Sequence, residues 1–442
     1  MRAFLQPLRP LVLAVMALLP AVRGSAADEW PAVRDEAFQT VWSTVNEAYF
    51  DATFGGVDWM AVGNRYRAHL RGIETNDELR PLLAAMLAEL RRSHFAILPR
   101  EFAVFTPDER KRMGTTGVQV ACLGDKLVIS AVRPGGAAAP AGVVPGAEVR
   151  SVGGLPLKPV FDAVARSGVD ASRAELLLGQ FVMARLRGPV GSEIELRGVG
   201  LAGEPWSARL ACEEHTGGWS EPIGDFPSLP LEYEAVRGRD GIAYLRFSVF
   251  VPALMKPIRG FLRGLPATAG LVIDLRGNPG GLAEMAPAIA GWLVAGERSL
   301  GTMRLRKGVI NFMSYPQEGA FRGPVAVLID GSSASTSEVF AAGLRDLGRA
   351  RLFGQRSAGA ALPSSMRRLP TGDLFQFATA DIQTPRGESI EGVGVAPDEP
   401  VPRKIEDIAA GRDRTREAAE AWLRNRELRA GPGSLENTAR AP

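Results

Sequence analysis

VAVLIDGSSASTSEVFAAGLR, residues 325–345, carries the reading of this chain. Val325 to Ile329 is an unbroken apolar run of strand character. It breaks at Gly331 and a cluster of small hydroxyl residues, then resumes at helical spacing with Val339, Phe340 and Leu344 on one side. Strand, tight turn and helix follow one another. Such a turn holds a serine hydroxyl at the mouth of a pocket, with the N–H groups of the starting helix aimed at any negative charge that develops there. Ser335 is the best-placed serine. The same residues also fit a helix cap, because Ser335 with Glu338 three positions on spells a capping box.

Working outward, 442 residues with 46% hydrophobic content suffice for a large core and for several domains. The net charge of +3 is small, and the arginines are interspersed with acids rather than gathered on one face. Nucleic acid is therefore not an expected partner. No metal-ligand spacing, phosphate loop or dinucleotide fingerprint occurs, so neither a metal nor a cofactor is expected.

At the N-terminus, Arg2 and Arg9 precede an apolar stretch from Leu11 to Val22 and the small residues Gly24-Ser25-Ala26-Ala27. The apolar stretch is too short to span a bilayer, and the layout predicts a secretory signal peptide over 1–27, cleaved after Ala26 or Ala27. The expected destination is outside the cytoplasm, periplasmic or secreted. Two cysteines, Cys122 and Cys212, lack the spacing of a metal site; a disulfide and two buried thiols both remain open.

Residues 28–112 read as a helical domain, with apolar residues at helical spacing over Asp35–Tyr49, Asp58–Leu70 and Asp77–Leu90. It ends in Ser93-His94, a polar pair between a helix and a strand. Of three histidines, His69 sits in a charged helix and His215 in a polar stretch, whereas apolar residues flank His94.

Over 113–214 the chain turns to short strands and Gly/Pro turns: Gly117-Val118-Gln119-Val120, Val128 to Val132, Gly135 to Val143, Pro145 to Val149 and Leu186 to Leu196. This ordered set resembles a PDZ domain. The resemblance implies a peptide added as an extra strand, its terminal carboxylate held by the Gly117-Val118-Gln119-Val120 loop, where Gln119 stands in place of a common second glycine. It also puts Cys122 and Cys212 on the first and last strands of a small barrel, which favours the disulfide. After a polar linker over 215–235, strands at Gly241–Ser248 and Gly270–Leu275 and a helix at Ala283–Val294 predict an α/β layer domain over 236–402. The turn Asp274-Leu-Arg-Gly-Asn-Pro-Gly-Gly281 has tandem glycines that let backbone amides face a cleft. Gly280, Gly281 and the N–H of Thr336 are thus candidate oxyanion donors.

Together with Glu391-Gly-Val-Gly-Val-Ala-Pro-Asp398, these motifs resemble the C-terminal processing, or tail-specific, peptidases over roughly 35–402. The resemblance implies a serine peptidase with an α/β multidomain build: a crotonase/ClpP-like catalytic domain, a PDZ-like β module and an N-terminal helical domain. Many members use a Ser-Lys dyad, but here the lysine position is Ala360, and the only lysine after Ser335 is Lys404. A serine without a base is a poor nucleophile. The tricorn-like branch takes its base from a histidine of the helical region, and by that resemblance His94 is the base, with Ser93 and Glu391 supporting it. The implied function is an exported endopeptidase acting on unfolded or C-terminally recognised polypeptides; the alternative is a catalytically silent peptide-binding or scaffold relative. Homo-oligomerisation and peripheral membrane association are left open. Residues 403–442 read as a helix over Lys404–Leu428 followed by a disordered tail.

Overall fold

A computed structural model of the chain describes residues 29–266 and 270–429. The predicted signal peptide and most of the predicted tail lie outside the described residues. The chain divides into two compact units: one comprises residues up to Leu229 with Met303–Ile310 and Ala360–Ile382, the other Pro230–Thr302, Asn311–Gly359 and residues from Gln383 onward.

The first unit begins with three α-helices, Trp30–Ala48, Trp59–Arg67 and Asn76–Ala88. The second and third start at the caps their sequences announce: Asp58 accepts from Ala61 N–H and Thr75 from Glu78 N–H. Phe38, Val41, Val45, Trp59, Leu83 and Leu87 bury their apolar faces in one core. That core is completed from far away in sequence, by Leu362, Phe375 and Phe377. Strand Ala96–Leu98 pairs with Leu374–Ala378, which pairs with Ser364–Arg368. Arg80 locks the join: its Nε and Nη2 each lie 2.8 Å from the carboxylate of buried Asp373, the bidentate fork geometry that makes Arg–carboxylate pairs specific.

The same unit holds an antiparallel sheet in the order Val118–Leu123, Lys126–Val132, Glu148–Val152, Glu193–Val199, Pro205–Ala211. Helices Lys158–Arg166 and Ala171–Arg185 close its core through Val160, Phe181 and Val182. Val118–Leu123 stands at one edge of the strand order, paired with Lys126–Val132, and the Ala171–Arg185 helix runs beside it. The cysteines correct an expectation. Neither forms a disulfide: Cys122 is on this edge strand and Cys212 just past the strand at the opposite edge. The intervening strands hold them apart, so the barrel closure that would make them neighbours does not occur.

The second unit is built on a six-stranded sheet ordered Tyr233–Arg237, Ile242–Phe247, Gly270–Asp274, Val325–Ile329, Ala350–Gly354, Glu399–Pro400; the first pair is antiparallel and the rest parallel. Gly270–Asp274 and Val325–Ile329 are buried along their whole length, as expected of parallel strands covered on both faces. On one face Val272, Ala326 and Leu328 pack against Ala419 and Leu423 of the C-terminal helix Arg414–Arg429. Helices Thr336–Asp346 and Met285–Ala290 pack on each other in the same unit. Two expected helices differ in extent. The one over Ala283–Val294 is limited to Met285–Ala290, and Lys404–Leu428 is split into Ile405–Ala409 and Arg414–Arg429, because Gly411 turns the chain at φ +65°.

Candidate active site

Neighbouring strands Gly270–Asp274 and Val325–Ile329 deliver two turns side by side at the carboxyl edge of the parallel sheet, where ligand sites of open α/β sheets lie. The first is the glycine-rich turn over 274–281, the second the hydroxyl-rich turn over 330–336. Asn278 stitches them together. Its main-chain carbonyl accepts from Ala334 N–H at 3.1 Å and from Ser337 Oγ at 2.9 Å, and its Nδ2 donates to the Phe247 carbonyl at 2.8 Å. Ser333 Oγ donates to the Leu275 carbonyl at 2.8 Å, and Thr336 Oγ1 to the Gly281 carbonyl at 2.9 Å. Asp330 adds a third tie: Oδ1 accepts from Gly277 N–H at 3.1 Å and Ser332 N–H at 3.0 Å, while Oδ2 receives Arg403 at 2.6 Å.

These bonds sort the hydroxyls. Ser333, Thr336 and Ser337 are buried and committed to holding the two turns. Ser335 is half-buried, and its backbone sits at φ +54°, ψ −119°. A side-chain-bearing residue there costs about 1–3 kcal/mol and persists only where its surroundings over-determine it. What holds it is Glu338. This fully buried carboxylate accepts from Ser335 N–H at 3.0 Å through Oε2, and through Oε1 from Ser357 Oγ at 2.5 Å and Gly359 N–H at 2.8 Å. The capping-box reading of Ser335 and Glu338 thus describes a real bond, which fixes the strained backbone rather than merely ending a helix. Ser357 Oγ in turn accepts from Val395 N–H at 2.6 Å, and Gly392 N–H donates to the Gly359 carbonyl at 2.9 Å. The segment carrying buried Glu391 is therefore tied, by a short chain of bonds, to the Ser335 turn.

Gly280 is pressed against this turn. A Cβ on it would lie 2.8 Å from the Ala334 carbonyl oxygen, Ser335 Cβ and Thr336 nitrogen, and its φ is +100°, so only glycine fits. Its own N–H donates to Asn278 Oδ1 at 2.9 Å. Of the three candidate oxyanion donors, Gly280 N–H is thus already engaged, whereas among the described residues no hydrogen bond engages Gly281 N–H or Thr336 N–H. A hydroxyl on a strained turn beside free backbone N–H groups can attack a carbonyl and stabilise the oxyanion that forms.

Beneath the glycine turn lies a buried ion network. Asp274 receives Arg276 and the Tyr244 hydroxyl, the latter at 2.8 Å, and Arg276 reaches on to Asp413 at 2.6 and 2.8 Å. Burial alone raises the pKa of Asp274, but the Arg276 guanidinium outweighs it and leaves this carboxyl well below the usual range. Asp413 follows the same pattern.

Ser93 and His94 belong to the first unit. Ser93 is buried, its Oγ is 2.7 Å from His94 Nδ1, and His94 adopts φ +58°. That bond assigns Nδ1 of the imidazole to Ser93 and so directs the ring. Gly117 to Val120 also lie in the first unit, at the start of the edge strand of the antiparallel sheet. Gly117 is at φ +72°, with the Arg133 side chain packed against it, and Arg133 is paired with Glu213. Glu338, Asn278, Ser357 and Asp330 are the site residues that sequence reasoning passed over as functional. Glu338 alone had a local signal, the capping box; the others become visible only through partners far along the chain.

Residues 241–401 match the model of peptidase family S41, and residues 31–88 match the tricorn protease C1 domain. The carboxyl-terminal-processing protease of Picosynechococcus sp. is 26% identical over 368 residues, covering 82% of this chain and 82% of that protein. Tricorn protease homolog 1 of Streptomyces coelicolor is 29% identical over 416 residues, which are 88% of this chain but 34% of that longer protein. In fold, the chain resembles the photosystem II D1 C-terminal processing protease at a TM-score of 0.57 and 21% identity, over 85% of this chain and 96% of that one. The S41 match over 241–401 and the tricorn C1 match upstream of it, with the similarity to carboxyl-terminal-processing proteases along most of both chains, mark the protein as a serine-type peptidase with an S41 peptidase domain, similar to the carboxyl-terminal-processing proteases and the tricorn homologues.

Proposed function

We propose that the chain is an exported serine endopeptidase that cleaves unfolded or C-terminally recognised polypeptides through an acyl-enzyme on Ser335. The observation that carries this reading is the sorting of hydroxyls in the 330–336 turn. Ser335 alone combines partial exposure with a strained backbone and a buried carboxylate holding it in place. Its Oγ attacks the scissile carbonyl, and Thr336 N–H with Gly281 N–H receives the oxyanion while Gly280 keeps the approach open. His94 is the base: it takes the Ser335 proton, returns it to the departing amine, and then activates the water that hydrolyses the ester. Ser93 orients the imidazole through its bond to Nδ1, and Glu391 supports the charged state of the pair. Support for histidine comes from Ala360 standing at the lysine position, and from the tricorn C1 match just upstream of Ser93-His94.

In this proposal the antiparallel module is PDZ-like and the catalytic core crotonase/ClpP-like. A substrate C-terminus docks at Gly117-Val118-Gln119-Val120 and adds along the outer side of this edge strand, beside the Ala171–Arg185 helix. Residues 1–27 direct export. The missing lysine also motivates a second reading, a catalytically silent scaffold that only binds peptides. One experiment separates the two: the mature chain is incubated with an unfolded protein and a serine-directed phosphonate. Cleavage, with phosphonate labelling of wild type but not of a folded Ser335→Ala variant, is the expected result; an intact substrate and no labelling would favour the scaffold.

A further inference from the structure

At the far end of the Thr336–Asp346 helix, about 16 Å from Ser335 by the rise of eleven residues, lies a cavity of about 550 Å³ that the peptidase reading does not use. Its size is that of a small-molecule site. Four arginines line it, Arg345, Arg349, Arg351 and Arg386, together with Trp422.

Two carboxylates line the cavity against the four arginines, Asp398 and the exposed Glu388, the latter 3.7 Å from Arg345. Those nearby are mostly bonded to the scaffold, although Asp346 keeps one buried oxygen without a hydrogen bond among the described residues. Asp398 accepts Leu352 N–H at 2.8 Å, Asp346 takes Arg345 at 3.0 Å, and Glu399 takes Arg351 Nη2 at 3.0 Å. Two guanidiniums are left short of partners among the described residues. Arg349 donates to the carbonyls of Leu293 and Phe321 and has no carboxylate, and Arg351 Nε is buried with no acceptor. Burial, with Arg322 nearby, pulls the Arg349 pKa down to about 10, the mark of a cation without a counter-charge. Arg386 is mostly exposed and only loosely paired, 3.9 Å from Asp346. A desolvated cation without a partner is costly, and an anion entering the cavity would relieve that cost.

We propose that this cavity is a binding site for a small ligand bearing phosphate or carboxylate oxyanions, separate from the catalytic end of the helix. The partly exposed Arg351 guanidinium and the mostly exposed Arg386 supply cations to the cavity, Arg345 and Arg349 add positive charge to its lining, and Trp422 adds an aromatic surface.

The test is calorimetric titration of the full chain with inorganic phosphate and, separately, with citrate, each against sodium chloride at matched ionic strength. Saturable binding in either arm is expected, and which arm saturates names the chemistry. An Arg351→Gln, Arg386→Gln double variant, altered only where side chains are at least partly exposed, should lose affinity at least tenfold while its melting temperature and ligand-free peptidase activity stay at wild-type values. Absence of saturable binding in both arms, or wild-type affinity in the double variant, overturns the proposal. Neither result depends on whether Ser335 is the nucleophile.

Discussion

Glu338 Oε2 lies 3.0 Å from the backbone nitrogen of Ser335, and the same carboxylate holds Ser357 and Gly359 through its other oxygen. One buried side chain thus fixes the only strained residue of the hydroxyl turn and anchors the loop that leads toward Glu391. Removing it orphans three buried donors, each worth about 1–3 kcal/mol. Glu338→Ala is expected to lower stability by several kcal/mol. Glu338→Gln keeps an acceptor but presents N–H groups to donors, and should lower kcat by at least tenfold with KM little changed. Urea denaturation and steady-state kinetics measure the two effects; a Gln variant with wild-type kcat would show that the clamp is structural only.

For the base, the discriminating measurement is kcat/KM against pH. Free imidazole titrates at about 6.5, whereas a lysine base must have its pKa drawn down by burial. His94→Ala is expected to cost on the order of a thousandfold or more, by analogy with removing the base of a serine triad. Glu391→Gln is expected to cost less, since supporting a base lowers the barrier less than supplying one. Near-normal turnover in His94→Ala would leave Ser335 without its proposed partner.

The Asp274–Arg276–Asp413 network predicts a pH signature in stability. Both carboxyls are held below their ordinary pKa, so their contribution is complete above about pH 4, the unfolded value, and is lost as pH falls through the lower folded value. Arg276→Met leaves Asp274 buried without its guanidinium and should destabilise by about 3–5 kcal/mol at pH 7. The gap to wild type should narrow as pH falls toward 3. Guanidinium denaturation at both pH values checks it, and a gap that widens in acid would contradict the assignment.

The antiparallel module yields a length-dependent prediction. If its edge strand receives a substrate C-terminus, amidating that terminus should slow cleavage of long unfolded chains several-fold and leave short peptides nearly unaffected. Competition assays with paired free-acid and amide substrates measure this. Equal effects at both lengths would assign the module another task.

Much of this architecture is legible locally. The strand–turn–helix at 325–345 follows from an apolar run that stops at glycine and small hydroxyls, and the caps at Asp58 and Thr75 follow from side chains that reach N–H groups three residues on. The glycine-rich turn over 274–281 is likewise written in its own residues, because positive φ demands glycine. Ser335 and Gly280 could be named for that reason.

Tertiary structure decided what joins distant residues. Sequence periodicity says which face of a strand is buried but not which strand lies beside it, so nothing in Leu374–Ala378 announces that it pairs with Ala96–Leu98 and completes the helical core. The same gap in information misled the reading of the cysteines, one on an edge strand and the other just past the strand at the opposite edge of the same sheet. Glu338 shows both sides. Its bond to Ser335 spans three residues and was readable as a cap, whereas its hold on Ser357 and Gly359 exists only because the sheet brings Ala350–Gly354 next to Val325–Ile329. Local chemistry in the chain chose the turn, and strand order chose its partners.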